Sequence, residues 1–168
     1  MPASLFMTVV GHLFRNVARY STSPSIIVEA INNGLAEGND EDMFCTLFVG
    51  VLDMNTGMVE YCNAGHNPPI WIHEGKTAFM SPEVNLPTGV FGGFEYKLES
   101  MQLSEGDVLF LYTDGVNEAE NVNKVLFGDT NTLAVVDLMK ETQMKDLSNG
   151  VYDAVRQFVD GYEQSDDL

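Results

Sequence analysis

The chain has 168 residues, 45% of them hydrophobic, and carries 25 acidic against 8 basic residues for a formal charge of -17. This length and composition suit one domain with a sizeable core and exclude a disordered chain, while the acid excess disfavours nucleic acid and anionic membrane, which bind clustered Lys and Arg. Apolar runs are interrupted by Thr, Gly or Asp before membrane-spanning length, and Met1-Pro2-Ala3-Ser4 lacks the basic start of a secretory signal, so a soluble, cytoplasmic protein is expected.

Leu5, Phe6, Val9, Val10, Leu13, Phe14 and Val17 form an i, i+4 stripe, which predicts a helix opened by Pro2 and fading near Tyr20, with His12 packed on it. Ser23 as N-cap and Pro24 at the first position open a second helix, with Ile27, Ala30 and Ile31 inward and Gly34 weakening its end. The two make an αα-hairpin. Residues 37–42, Glu-Gly-Asn-Asp-Glu-Asp, read as a solvated loop without the alternating ligand spacing of a calcium site.

Strand patterns follow. Residues 43–52 are apolar on both faces, as in a central strand, and residues 58–63 return antiparallel to them. With Asp53 facing Met58, Cys62 falls opposite Val49 and Cys45 lies four residues out of register, roughly 13 Å away, which rules out a disulfide. Both cysteines then read as small core hydrophobes in a reducing compartment. Residues 70–72 and 77–80 bracket a second hairpin with His73 exposed in its turn. Residues 95–103 alternate, and Ser104-Glu105-Gly106-Asp107 turns them into a strand over 108–113. Two helices close the chain, one around Leu133, Val136 and Met139, the other through Leu147, Val151, Val155 and Phe158. Strands followed by segregated helices predict an α+β layered fold.

The chemistry concentrates where the apolar run 108–113 ends at Asp114-Gly115, since a buried run cannot hold a charge and the carboxylate belongs at the strand exit. Asp166 and Asp167 form a second acidic pair. His66, in Asn63-Ala64-Gly65-His66-Asn67-Pro68-Pro69, reads as part of a rigid turn in preference to a base or metal ligand, because no second His or Cys sits at ligand spacing. There is no Gly-x-Ser-x-Gly elbow, no cysteine at a helix start beside basic residues and no phosphate-cradling glycine loop with Lys. Carboxylate chemistry with a hard cation such as Mg2+ or Mn2+ remains.

Met43-Phe44-Cys45-Thr46-Leu47-Phe48, Leu52-Asp53, Asn63-Ala64-Gly65-His66-Asn67-Pro68-Pro69, Leu86-Pro87-Thr88-Gly89-Val90, Gly106-Asp107-Val108 and Tyr112-Thr113-Asp114-Gly115-Val116 occur in an order that resembles the bacterial PP2C-like serine/threonine phosphatases of the SpoIIE and RsbU type. The resemblance covers essentially the whole chain, as a single partial phosphatase domain. It implies an antiparallel β-sandwich flanked by helices and two Mn2+ or Mg2+ ions that activate water. The implied substrate is phosphoserine or phosphothreonine on a regulatory protein, usually an anti-sigma factor antagonist. Asp114 matches the metal-binding aspartate of the Thr-Asp-Gly motif, and Asp166 with Asp167 matches the family's C-terminal Asp-Asp pair, Asp166 being the preferred ligand and, with Asp114, the expected catalytic group. Glu118 matches a commonly acidic position but is expected to be a loop carboxylate.

The family also has a Gly-Asp-x-x-Asp strand and an Asp-x-Ser-Gly-Lys-Gly segment ahead of the first helix, and a final strand after the Asp-Asp pair. The chain is therefore expected to be incomplete at both ends and to have little activity by itself. A catalytically dead protein-binding module on the same scaffold is the alternative. Edges uncovered in this way are expected to favour a homodimer or strand-exchanged assembly through residues 43–52 or through a helix face of Phe6, Val10 and Phe14.

Overall fold

The computed structural model describes residues 3–37, 39 and 42–161. In chain order the elements are α1 (Ala3–Val17), α2 (Pro24–Ala36), β1 (Leu47–Leu52), β2 (Met58–Ala64), β3 (Ile70–His73), β4 (Lys76–Phe79), β5 (Glu99–Gln102), β6 (Val108–Phe110), α3 (Asp114–Asn117), α4 (Gly128–Met139) and α5 (Met144–Val159). All strand pairings between them are antiparallel, and the class is α+β. They fall into two compact units: Met1–His66 with Pro82–Glu105, and Asn67–Ser81 with Gly106–Leu168.

In the first unit the sheet order is β1-β2-β5, and α2 packs on β1 and β2. Ile27, Val28, Ile31 and Leu35 of α2 are buried at helical spacing with Phe6 and Val10 of α1, Val49 of β1 and Cys62 of β2. Full burial of one such aliphatic side chain stabilises by about 1.5–3 kcal/mol. Because Phe6 and Val10 are consumed by this core, the helix face expected to be uncovered is not; Phe14 is exposed, and Leu5 and Met7 with it. Gly34 does not weaken α2, which runs on to Ala36. Its missing side chain lets Leu13 of α1 approach, since a Cβ there would lie 3.0 Å from the Leu13 methyl carbons. His12 is exposed on α1, with Nε2 2.8 Å from the Asn16 amide nitrogen.

The first hairpin has the predicted register, with Val49 opposite Cys62 and the Asp53 N–H bonded to the Met58 carbonyl at 2.8 Å. Both cysteines are free thiols, and burial pushes Cys62 up to about 12. Two expectations change here. β1 starts at Leu47 and not at Met43, because its partner ends at Ala64 and turns at Gly65, so Cys45 instead exchanges backbone hydrogen bonds with Thr88 at 2.9 and 2.8 Å. β1 also lies at an edge of the described sheet, with β2 central, and Val51 and Leu52 are exposed. β5 is shorter than its alternating pattern because side chains take over upstream: the Tyr96 N–H donates to Glu29 and the Lys97 N–H to Asn85.

The second unit has the sheet order β4-β3-β6, with α4 against β4. Leu147, Val151, Val155 and Val159 repeat every fourth residue along α5, and all four are buried with Val136 of α4 and Ile70 and Ile72 of β3. The β3–β4 turn places Glu74 and Gly75 at φ 48° and 73°, the paired left-handed conformation that matches strand twist.

Tyr61, Tyr96 and Tyr112 are each 5–6% exposed, and burial pushes every one of their phenols up to about 12. Glu99 adds to this at Tyr61, Cys62 and Glu29 add at Tyr96, and Asp129 adds at Tyr112. In the unfolded chain tyrosine ionises near ~10, so between that pH and about 12 the folded state holds protons the unfolded state has released. The urea midpoint should therefore fall as pH rises through this window. Tyr112→Phe should flatten the fall without lowering stability at neutral pH, since the Tyr112 hydroxyl has no hydrogen-bond partner among the described residues. A midpoint independent of pH there would contradict the assignment.

Candidate functional site

The strand that leads to Asp114 is ended by its neighbour. β6 pairs with β3 in the register Ile72 to Val108, Trp71 to Leu109 and Ile70 to Phe110, so the next positions of β3 would be Pro69 and Pro68 opposite Leu111 and Tyr112. Pro69 faces β4, where its carbonyl accepts the Met80 N–H at 2.8 Å, so Pro68 is the position that lacks an N–H to donate to β6, and the ladder stops. Three residues of the apolar run are thus strand, not six. Leu111, Tyr112 and Thr113 leave the sheet, and the chain turns into α3, a single helical turn absent from the sequence reading.

Asp114 is the first residue of α3 and is exposed, with Gly115 and Val116 buried behind it. The turn is closed by the Val116 N–H on the Thr113 carbonyl at 3.1 Å and the Glu118 N–H on the Asp114 carbonyl at 2.8 Å. Thr113 gives no side-chain cap. Glu118 is exposed, as expected of a loop carboxylate. One residue before it, Asn117 accepts a hydrogen bond from the Asn67 amide at 3.1 Å and donates one to Asp129 Oδ1 at 2.9 Å. Neither asparagine is singled out by the sequence; the only signal was Asn67's place ahead of two prolines and Asn117's place three residues after Asp114.

The turn containing His66 is pinned by the side chain of Asn63. Asn63, only 4% exposed, accepts the His66 N–H at 2.8 Å and donates to the His66 carbonyl at 2.9 Å, while Gly65 sits at φ 72° against Pro87. His73 is not in a turn but at the end of β3, stacked on Trp71 with ring centroids 4.6 Å apart. Its Nδ1 lies 2.9 Å from both carboxylate oxygens of Asp107, whose side chain is 4% exposed, so Gly106-Asp107 ties the start of β6 to the end of β3.

Of the predicted site residues, Asp114 lies beyond the strand exit, which is at Phe110, on the first position of α3. Asp166 and Asp167 lie outside the described residues. Asp114 offers an exposed hard oxygen donor suited to Mg2+ or Mn2+. Among the described residues no group of three or more His, Cys, Asp or Glu is arranged to hold a metal ion. The described part of the chain therefore fits one ligand of a hard-cation site and does not assemble a two-ion centre. No helix among the described residues is long and apolar enough to cross a membrane.

The family model of stage II sporulation protein E matches residues 1–168, and the chain belongs to that family. It is 27% identical over 127 residues to the phosphoserine phosphatase RsbU of Bacillus subtilis, covering 75% of this chain and 38% of the relative. The chain thus spans about two fifths of the length of that relative. It is similar in fold to part of the crystal structure of the RsbU and RsbW domains of Rv1364c from Mycobacterium tuberculosis (TM-score 0.77, 22% identity, 92% of this chain and 43% of that one). The PP2C phosphatase domain of SpoIIE from Bacillus subtilis is similar as well (TM-score 0.73, 19% identity, 90% of this chain and 45% of that one). The chain is accordingly a SpoIIE/RsbU-type member of the PP2C phosphatase fold.

Two glycines in the left-handed region separate conformational strain from crowding in the turn before Asn67. Gly75→Ala, with nothing within 4 Å of the new Cβ, should cost only the left-handed penalty of about 1–2 kcal/mol. Gly65→Ala adds a Cβ 2.8 Å from the Pro87 ring and should lose about 1–3 kcal/mol more. Urea denaturation of both variants measures the difference; equal losses would mean that Pro87 moves aside freely.

Proposed function

We propose that the single domain to which residues 1–168 belong is a metal-dependent protein phosphatase that removes phosphate from phosphoserine or phosphothreonine on a regulatory protein of the anti-sigma factor antagonist type, in the cytoplasm. The observation that carries this reading is the exposed carboxylate of Asp114, presented on the turn beyond a terminated strand in a chain that matches its family over its whole length. The phosphoserine phosphatase name of the RsbU relative supports the substrate class.

In this reading Asp114 is a ligand of one of two Mn2+ or Mg2+ ions, and Asp166, with Asp167 beside it, supplies the second acidic region. Such ions, when bound, lower the pKa of a water and orient it against phosphorus. Asp114 holds its ion from a turn whose apolar side is buried, and the two acidic regions draw the cation toward them. A net charge of -17 disfavours phosphate at long range, so recognition of the phosphorylated partner falls to surface complementarity and to the ions.

Residues 1–168 alone should turn over p-nitrophenyl phosphate with Mn2+ poorly, because the described residues bring together one metal ligand and not a full set. In a longer form of the protein that is active, Asp114→Asn should lower kcat about hundredfold or more, as removal of a metal ligand does. Undiminished activity after that substitution would sink the assignment of Asp114.

The reading also includes a homodimer, supported by the exposed Val51 and Leu52 on edge strand β1. Light scattering over a range of concentrations checks it: mass rising toward twice 18.5 kDa is expected, and a monomer throughout would refute it.

A further inference from the structure

A four-residue turn cannot hold itself. Helix nucleation fixes several dihedrals for one hydrogen bond, and α3 is a single turn, closed at its ends by bonds of 3.1 and 2.8 Å and without a side-chain cap from Thr113. On its inner side Val116 and, just beyond, Ala119 are buried at 9% and 5% exposure. On its polar side the Asn117 side chain makes hydrogen bonds that reach two other segments of the same unit. Asn67 stands directly before Pro68-Pro69, where the backbone is stiff, and Asp129 lies in the first turn of α4, where the helix dipole favours a carboxylate.

The polarity of this bridge is fixed. An ionised carboxylate only accepts, so the Asn117 amide nitrogen faces Asp129 and its oxygen is left for the Asn67 amide to donate to. Asn117 is three residues from Asp114, which puts both side chains on one face of the turn. Whatever clamps Asn117 therefore limits the rotation of the face that carries the carboxylate.

We propose that Asn117 is a positioning residue for Asp114: bridged between Asn67 and Asp129, it holds the α3 turn so that the Asp114 carboxylate is presented to a hard cation. The proposal rests on the reading of Asp114 as a metal ligand. Asn117 itself touches neither metal nor substrate; it acts through the turn.

The test uses the 168-residue chain, 15N-labelled, with two readouts: hydrogen exchange at the Glu118 amide, and the Mn2+ concentration that half-broadens the Gly115 and Glu118 resonances. Asn117→Ala should speed Glu118 exchange and raise the Mn2+ midpoint about tenfold, the scale of loss when a group supporting a metal ligand is removed. Asn67→Ala should act in the same direction, and the double variant should be no worse than the more severe single, because one bridge serves both. Asp129→Ala should reproduce the effect. Asp129→Asn, which keeps an acceptor oxygen, should restore the wild-type midpoint and so separate positioning from loss of charge.

Unchanged Glu118 exchange in both Asn117→Ala and Asn67→Ala would overturn the proposal. So would faster exchange with an unmoved Mn2+ midpoint, which is what a purely structural role predicts. Asp114→Asn is the separate control: if broadening persists at the same Mn2+ concentration, the reading of Asp114 as a ligand fails and the positioning role falls with it. If Asp114→Asn abolishes broadening while Asn117→Ala leaves it untouched, only the positioning role fails.

Discussion

Two adjacent prolines that cannot donate a hydrogen bond decide where the candidate site is. Pro68 and Pro69 precede β3, and in the β3–β6 register they stand opposite Leu111 and Tyr112. The ladder ends there for want of an N–H. Had it continued, Leu111, Tyr112 and Thr113 would be strand and Asp114 would follow the sheet directly. Termination sends Tyr112 into the core and puts Asp114 on an exposed turn. The prolines act on a strand nearly forty residues away in sequence, which is why the motif containing them and the motif containing Asp114 belong to one piece of architecture.

Asparagine amides hold several of the connections that the ladders leave open. Asn63 closes the turn at His66 from both its carbonyl and its amide, and Asn85, 6% exposed, donates to the Asn63 carbonyl while accepting the Lys97 N–H. Asn32, 1% exposed, accepts the Gly89 N–H and donates to the Phe91 carbonyl. Each amide offers a donor and an acceptor from one neutral group, so it satisfies two orphan backbone atoms without burying a charge. In a chain with so large an acid excess that neutrality matters, because a carboxylate in the same place would accept but not donate and would add to the repulsion. Asn117 uses the same pairing of donor and acceptor between side chains, accepting from Asn67 and donating to the exposed carboxylate of Asp129.

Local pattern was enough for much of this protein. Alternation and turn chemistry gave the register of the first hairpin to the residue, including Val49 opposite Cys62, and helical spacing gave Leu147, Val151 and Val155 of the buried stripe of α5, whose fourth member is Val159 and not Phe158. These features depend on neighbours a few residues apart, and their physics is carried by the local sequence. The ordered motifs placed the chain in its family.

What the tertiary structure alone decided was set by partners distant in the chain. Strand ends moved because a distant residue lacked a donor, as at Pro68, or because a side chain took the bond, as Glu29 does for Tyr96. Phe6 and Val10 became core and Phe14 did not, although all three lie on one predicted stripe, because α2 covers only part of it. His73 found Asp107 across the β3–β6 pair. Asn117 found Asn67 fifty residues away. A sequence states which residues want a hydrogen bond or burial; which of them meet depends on register and packing between segments, and those exist only once the chain has folded.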